Sequence, residues 1–345
     1  MAMPFRVLVV DDSAFMRTAL TRSIETDNRF KVIGTASDGR EGVQKALHLK
    51  PDVMTLDVEM PVMNGIQALK EIVAKSSIPV IMVSAVTEEG AKTTMEALEI
   101  GAVDFIPKAK GAEHIHEKLL AAVNANPARN RGAFGAGRRP AAPVAPPTSH
   151  RLPLPRLELN AKIVVIGSST GGPQALQTVL GQIPANFPAP IVVAQHMPAQ
   201  FTLALAKRLD ATCPLRVVEA KDGDPLTKGT VYIGPGGMHL RITPSSVKVD
   251  PDKGESLYKP SVNVLGESAQ EAFGRSVLGV MLTGMGNDGM RAFLNLHKAG
   301  AYNIVQDAAS CVVYGMPRSV VDAGGADEVL SLEKIGPRIK EAFRA

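Results

Sequence analysis

Ile163-Val164-Val165-Ile166-Gly167-Ser168-Ser169-Thr170-Gly171-Gly172-Pro173 is the stretch from which the fold of the second half of this chain is read. Its four apolar, β-branched residues read as a strand buried on both faces, as in a parallel sheet. Beyond the turn, Ala175, Leu176, Val179 and Leu180 recur at helical spacing, and Pro173 stands at the helix start, where a missing N–H costs nothing. The turn puts hydroxyls at the rim of a sheet and at the positive end of a helix, and its glycines let a substrate come close to the backbone. A nucleophilic serine needs those conditions. A phosphate cradle is the rival reading. Its two sharp forms fail, because Pro173 stands where a P-loop requires lysine and Ser169 where the dinucleotide fingerprint requires glycine. A purely structural turn is the third reading.

Working outward, a nucleophilic serine needs a base, and the base needs an orienting group. Of seven histidines, His196 follows a second buried-strand pattern, Ile191-Val192-Val193-Ala194-Gln195. The two patterns begin 28 residues apart, the span of one right-handed crossover. As neighbours their ends would lie about 5 Å apart, and Ser169 and His196 would share a rim. The competing reading is a core or loop histidine. His239, after Gly234-Pro235-Gly236-Gly237-Met238, is a weaker candidate, and His297 falls on a helix surface within 290–298. A third strand over Val277–Leu282 runs into Thr283-Gly284-Met285-Gly286-Asn287-Asp288-Gly289. Asp288 there is either the orienting acid or a cap for the next helix. Backbone N–H groups of this loop suit an oxyanion hole.

The first half alternates strand and helix patterns five times, with strands at 5–10, 31–36, 52–57, 79–84 and 103–106. Such alternation means a parallel sheet with helices on both faces and chemistry at the strands' carboxyl ends. Asp11 and Asp12 end the first strand, Asp57 the third and Ser84 the fourth, and Lys108 follows the fifth. Three carboxylates on one rim repel unless a cation joins them. Oxygen ligands with room for water and phosphate suit Mg²⁺. One carboxylate is then able to accept a phosphoryl group, with the metal and a lysine neutralising its oxygens.

A chain of 345 residues, 45% apolar, supports two domains. Tryptophan is absent and aromatics make up 4%, which argues against stacking on bases. Between Asn126 and Glu158 lie six arginines, seven prolines and one acid, a net +5 in a chain of net +4. The basicity therefore belongs to a Pro/Ala/Arg-rich flexible linker rather than to a nucleic-acid surface. The expected domains are 1–124, a linker over 125–158, and 159–345. Cys213 and Cys311 form no framework or metal cluster, read as small buried residues, and suit a reducing cytoplasm. No signal peptide or apolar run of membrane-spanning length is present, so direct membrane insertion is not expected.

Val9-Val10-Asp11-Asp12-Ser13, Leu56-Asp57-Val58-Glu59-Met60-Pro61-Val62-Met63-Asn64-Gly65, Val83-Ser84-Ala85 and Gly101-Ala102-Val103-Asp104-Phe105-Ile106-Pro107-Lys108 resemble the receiver domain of two-component response regulators. The resemblance covers about the first 120 residues and implies a flavodoxin-like (βα)5 fold. It implies that Asp57 is the phosphoacceptor, that Asp11 and Asp12 with Asp57 hold Mg²⁺, that Ser84 and Lys108 bind the phosphoryl group, and that Phe105 is a rotameric switch. Receivers usually have proline after the lysine, in a cis peptide; Ala109 stands there, and a cis bond before a non-proline residue costs roughly 3 kcal/mol.

From about residue 160 on, Ile-Gly-Ser-Ser-Thr-Gly-Gly, Gln-His-Met-Pro, Lys-Pro-Ser-Val-Asn-Val-Leu, Leu-Thr-Gly-Met-Gly-Asn-Asp-Gly and Ala-Ser-Cys-Val-Val-Tyr-Gly-Met-Pro resemble the catalytic domain of the chemotaxis protein-glutamate methylesterases, a doubly wound, mostly parallel α/β fold. Ser168 departs from the alanine common there. The resemblance implies Ser169 as nucleophile, His196 as general base and acid, Asp288 as orienting acid, and Thr170 and Met285 at the oxyanion site. It implies a phosphorylation-activated serine hydrolase that removes methyl esters from receptor glutamates and deamidates receptor glutamines, with no cofactor for the esterase step. The implied partners are cytoplasmic domains of transmembrane chemoreceptors and a sensor histidine kinase. The alternatives are a hydrolase of the same family in a non-chemotaxis pathway, one acting on small soluble esters, and a non-enzymatic response regulator. The last would need a helix-turn-helix or a basic output face.

Overall fold

The computed structural model describes residues 3–108, 115–125, 161–251 and 257–343. Ala109 and all but the first residue of the expected linker lie outside the described residues.

The expected alternation in the first half becomes β1 (Phe5–Val10), α1 (Ala14–Ile24), β2 (Phe30–Ala36), α2 (Gly39–Leu49), β3 (Val53–Asp57), α3 (Gly65–Lys75), β4 (Val80–Ser84), α4 (Glu88–Ile100), β5 (Asp104–Pro107) and α5 (Ile115–Asn124). The strands form one parallel sheet in the order β2-β1-β3-β4-β5, the flavodoxin-like order. Alternate residues of each strand enter opposite cores: Leu8, Val10, Leu56 and Met82 on one face, Val7, Val9, Ile81 and Val83 on the other. Local signals set the helix starts. The Ser13 hydroxyl caps α1, Asp38 caps α2, and Asn64 with Gln67 makes a capping box for α3.

The second half runs β6 (Ile163–Ser168), α6 (Gly172–Leu180), β7 (Ile191–Gln195), α7 (Ala199–Thr212), β8 (Arg216–Glu219), β9 (Thr230–Ile233), β10 (His239–Ile242), β11 (Val247–Asp250), α8 (Val262–Phe273), β12 (Val277–Met281), α9 (Met290–Lys298), β13 (Tyr302–Gln306), α10 (Met316–Asp322), β14 (Glu328–Leu330) and α11 (Leu332–Ala342). Seven strands form a parallel sheet ordered β14-β13-β12-β6-β7-β9-β8, and β10 and β11 make a separate antiparallel hairpin. The chain leaves β6 in one direction toward β7 and returns on its other side as β12. That reversal is a topological switch point, where doubly wound sheets open a crevice. Gly167 pairs with Met281 on one side, and Ser168 with Gln195 on the other.

The two halves touch. Helix α4 packs on α7, the Glu99 carboxylate pairs with the Arg208 guanidinium, and the rings of Phe105 and Phe201 lie 4.3 Å apart between centroids. Cys311 is buried as expected, whereas Cys213 is only half-buried, because it follows the last turn of α7 at the edge of the core. Among the described residues no helix is long and apolar enough to cross a membrane.

Candidate active site

Ser168 ends β6 fully buried, and its hydroxyl donates to Gln195 Oε1 at 2.7 Å. The Gln195 amide in turn donates to the carbonyls of Ser169, at 2.9 Å, and His196, at 3.1 Å. One side chain thus clamps the ends of both strands, and Ser168 faces inward while Ser169 stands half-buried on the rim. Gly171 adopts φ +77° as the N-cap of α6, and a Cβ on Gly172 would lie 1.9 Å from Gln195 Oε1. The turn glycines were expected to make room for a substrate. They make room instead for Gln195 and for Val312, which a Cβ on Gly171 would meet at 2.6 Å.

His196 continues β7, with its N–H on the Ser168 carbonyl at 3.0 Å. Its Nε2 lies 2.8 Å from Asp288 Oδ2. An ionised carboxylate only accepts, so Nε2 carries a proton, and in the neutral ring Nδ1 holds the lone pair. Nδ1 is buried without a hydrogen-bond partner. The Ser169 hydroxyl has none among the described residues; the register pairs Ser168 with Gln195, and Ser169 and His196 are the next residues of the two adjacent strands.

Asp288 was expected to orient the imidazole or to cap the following helix. That helix, α9, has Gly289 as its N-cap and no side-chain cap. The carboxylate lies instead at the start of α8, accepting from Ser261 Oγ (2.9 Å), Val262 N (2.7 Å) and Asn263 N (3.1 Å). Burial alone would raise its pKa. The His196 hydrogen bond and charge, with the two backbone N–H groups, outweigh burial and hold the carboxyl below its ordinary value. The α8 dipole acts in the same sense.

The Thr170 hydroxyl donates at 2.6 Å to Asp104 Oδ2, a carboxylate from the first half whose other oxygen meets Phe105 N and Lys118. The Thr283 hydroxyl lies 3.0 Å from the Thr170 carbonyl. The loop carrying Met285 abuts the serine: a Cβ on Gly284 would stand 2.9 Å from Ser169 Cβ. Met285 is half-buried, and the Gly284 N–H is already committed to the Val313 carbonyl. His239 is buried at the start of β10, its Nδ1 3.4 Å from Ser261 N, behind the Asp288 support rather than on the rim. His297 lies on α9, 3.1 Å from Asp327.

Sequence reasoning missed Gln195, Ser261, Tyr258 and Asp104. Ser261 carried a helix-start signal in its polar side chain after Pro260. Tyr258, stacked on the His196 ring, carried none.

On the other rim, Asp11, Asp12 and Asp57 offer ligand oxygens all within 4.8 Å of one another. Lys108 Nζ lies 2.7 Å from Asp57 Oδ2 and 3.3 Å from the buried Asp11 Oδ2. Burial, with the nearby Asp11 charge, pushes the Asp57 carboxyl up to about 6 against the opposing pull of Lys108. Burial lowers the Lys108 value, but its hydrogen bond and charge contacts with Asp57 and Asp11 outweigh this and raise it. Ser84 is buried with its hydroxyl on the Gly90 carbonyl of α4 at 3.2 Å, and Phe105 is buried against Phe201. The three acids and the lysine come together, while Ser84 and Phe105 face the elements that touch the second half.

Comparison with known proteins finds relatives for both halves. The CheB methylesterase family matches residues 164–339, and the response regulator receiver domain matches 7–120. The chain is 44% identical to a protein-glutamate methylesterase/protein-glutamine glutaminase of Lawsonia intracellularis, over 98% of this chain and 99% of that one. It is 46% identical to a second protein of that description from Nitratidesulfovibrio vulgaris, over 96% and 98%. The crystal structure of the Thermotoga maritima CheB methylesterase catalytic domain superposes with a TM-score of 0.51 at 43% identity, covering 52% of this chain and 98% of that one. This chain belongs to the CheB methylesterase family, with a receiver domain preceding the methylesterase domain.

Proposed function

We propose that this chain hydrolyses γ-methyl esters of glutamate side chains on the cytoplasmic helices of transmembrane chemoreceptors, releasing methanol, and deamidates glutamines in the same segments. The observation that supports this reading is the His196–Asp288 bond, on a strand whose register pairs Gln195 with Ser168, one residue before Ser169. The relatives' descriptions support the substrate class. Ser169 Oγ attacks the side-chain carbonyl while Nδ1 of His196 takes its proton. The imidazolium keeps its Nε2–H on Asp288, then returns the proton to the departing methoxide. Water resolves the acyl-enzyme by the same path. The turns at Thr170 and Met285 receive the oxyanion. An amide substrate loses ammonia instead and passes through the same acyl-enzyme.

In this reading the division is 1–124, 125–158 and 159–345, and the first domain restrains the second. The Asp104–Thr170 bond, the Phe105–Phe201 contact and the Gln174 amide on the Leu98 carbonyl at 2.8 Å support a receiver docked beside the serine. Asp57 accepts a phosphoryl group from a sensor histidine kinase. Asp11, Asp12 and Asp57 would hold Mg²⁺; the buried Asp11 Oδ2, which among the described residues has only the Lys108 ammonium against it, fits a cation. Bound there, Mg²⁺ supplies the charge that offsets the acids and the phosphoryl oxygens. Lys108 and Ser84 turn to those oxygens, Ser84 leaves the Gly90 carbonyl, Phe105 reorients, and docking weakens.

The test is methanol release from receptor-bearing membranes with and without a small phosphodonor. Stimulation in the wild type that Asp57→Asn removes supports the reading. Equal rates in both arms overturn the regulatory part, and no methanol in either arm overturns the esterase.

A further inference from the structure

The Tyr258 ring lies flat on the His196 imidazole, with centroids 4.2 Å apart and planes inclined by 5°. Tyr258 belongs to the segment that also holds Asp288, since Ser261, Val262 and Asn263 follow within five residues and donate to that carboxylate. One stretch of chain therefore fixes the imidazole twice, through its acid and through its face. The phenol also approaches the loop between Thr283 and Gly289, where a Cβ on Gly286 would lie 3.5 Å from its oxygen.

The established geometry leaves the imidazole face without a role. Proton transfer from Ser169 makes the ring a cation. An aromatic face carries negative charge density and attracts a cation held against it. The edge of the tyrosine ring would not do this; its face, which lies against the imidazole, does. Burial, then the charges of Glu117 and Asp288, hold the Tyr258 phenol above its ordinary value, so the ring remains a neutral phenol.

We infer that Tyr258 is a positioning residue of the hydrolysis, holding the His196 ring in plane and stabilising its imidazolium in the transition state. This rests on the esterase reading above. Among the described residues, Asp288, bonded to the imidazole, and Glu117 of α5, whose charge acts on Tyr258 from the receiver, are the charged groups that bear on the pair. Both stay in place in the variants below.

The test measures methanol release from receptor-bearing membranes by the full chain over about pH 5 to 9, for wild type, Tyr258→Phe, Tyr258→Leu and Ser169→Ala. Leu keeps an apolar cover but no ring face. Tyr258→Leu is expected to lower kcat about fivefold with KM within about twofold, and to move the acid limb of the kcat/KM profile down by about half a unit. Tyr258→Phe is expected to keep the wild-type limb and rate within about twofold. If Leu and Phe give the same profile, or if the whole loss lies in KM, the inference fails while the esterase stands. Activity retained by Ser169→Ala overturns the esterase itself. Thermal unfolding of each variant separates a folding loss from a catalytic one.

Discussion

Both rims place a buried aspartate at the carboxyl side of a doubly wound sheet, and the two aspartates are displaced in opposite directions. Asp57 meets one ammonium, the Glu59 N–H at 3.4 Å and a second carboxylate, and its carboxyl is pushed up to about 6. Asp288 meets one hydroxyl, two backbone N–H groups and an imidazole, and its carboxyl is held below the ordinary value. The folds are alike, so the difference lies in the donors. A carboxylate whose lone pairs are all used serves as a fixed charge that steers a neighbour. One that is short of donors is left with free lone pairs, suited to take up a cation or a new group. In this chain the unsatisfied acid lies on the rim of the receiver domain and the satisfied acid on that of the methylesterase domain.

The comparison can be broken at its hydrolytic end first. Ser169→Ala is expected to cut methanol release by some 10⁴-fold with the fold intact, whereas Ser168→Ala, one residue away but bonded to Gln195, costs far less. Equal losses would mean that the rim does not distinguish the two hydroxyls. Asp288→Asn keeps the shape but alters the charge facing Nε2, and a loss of about 10³-fold in kcat is expected. A rate near that of the wild type would deny Asp288 its steering role. Asp104→Asn weakens the acceptor for the Thr170 hydroxyl, and a few-fold rise in unphosphorylated activity is expected. No rise would show that docking does not depend on this bond. The smallest effect is on the receiver rim. Millimolar Mg²⁺ is expected to raise the thermal midpoint of the wild type by a few degrees and to leave Asp11→Asn nearly unmoved. Identical shifts would remove the acid cluster as the site.

Much of this was legible in the chain. Runs such as Ile163–Ile166 and Ile191–Gln195 are buried on both faces, so they announce parallel strands without help from tertiary context. Residues directly after such runs fall on the rim by topology, which is why Ser169, His196, Asp57 and Ser84 could be named. The supports were hidden. Asp288 meets α8 across 25 residues or more of chain, through packing that no local pattern encodes. Gly172 looked like substrate clearance because the residue it clears, Gln195, lies on another strand. The Asp104–Thr170 bond spans 66 residues and two domains, and neither side chain is unusual in its own segment.

The Gln174 amide reaches out of α6 to the Leu98 carbonyl, in the last turn of α4. An α-helix cannot bond its own final carbonyls, so one domain completes a helix that belongs to the other. Modules joined in this way do not shuffle freely. A chimera that brings in a foreign receiver forfeits that amide unless its α4 ends in the same place, and the two halves are therefore expected to have been inherited as a matched pair.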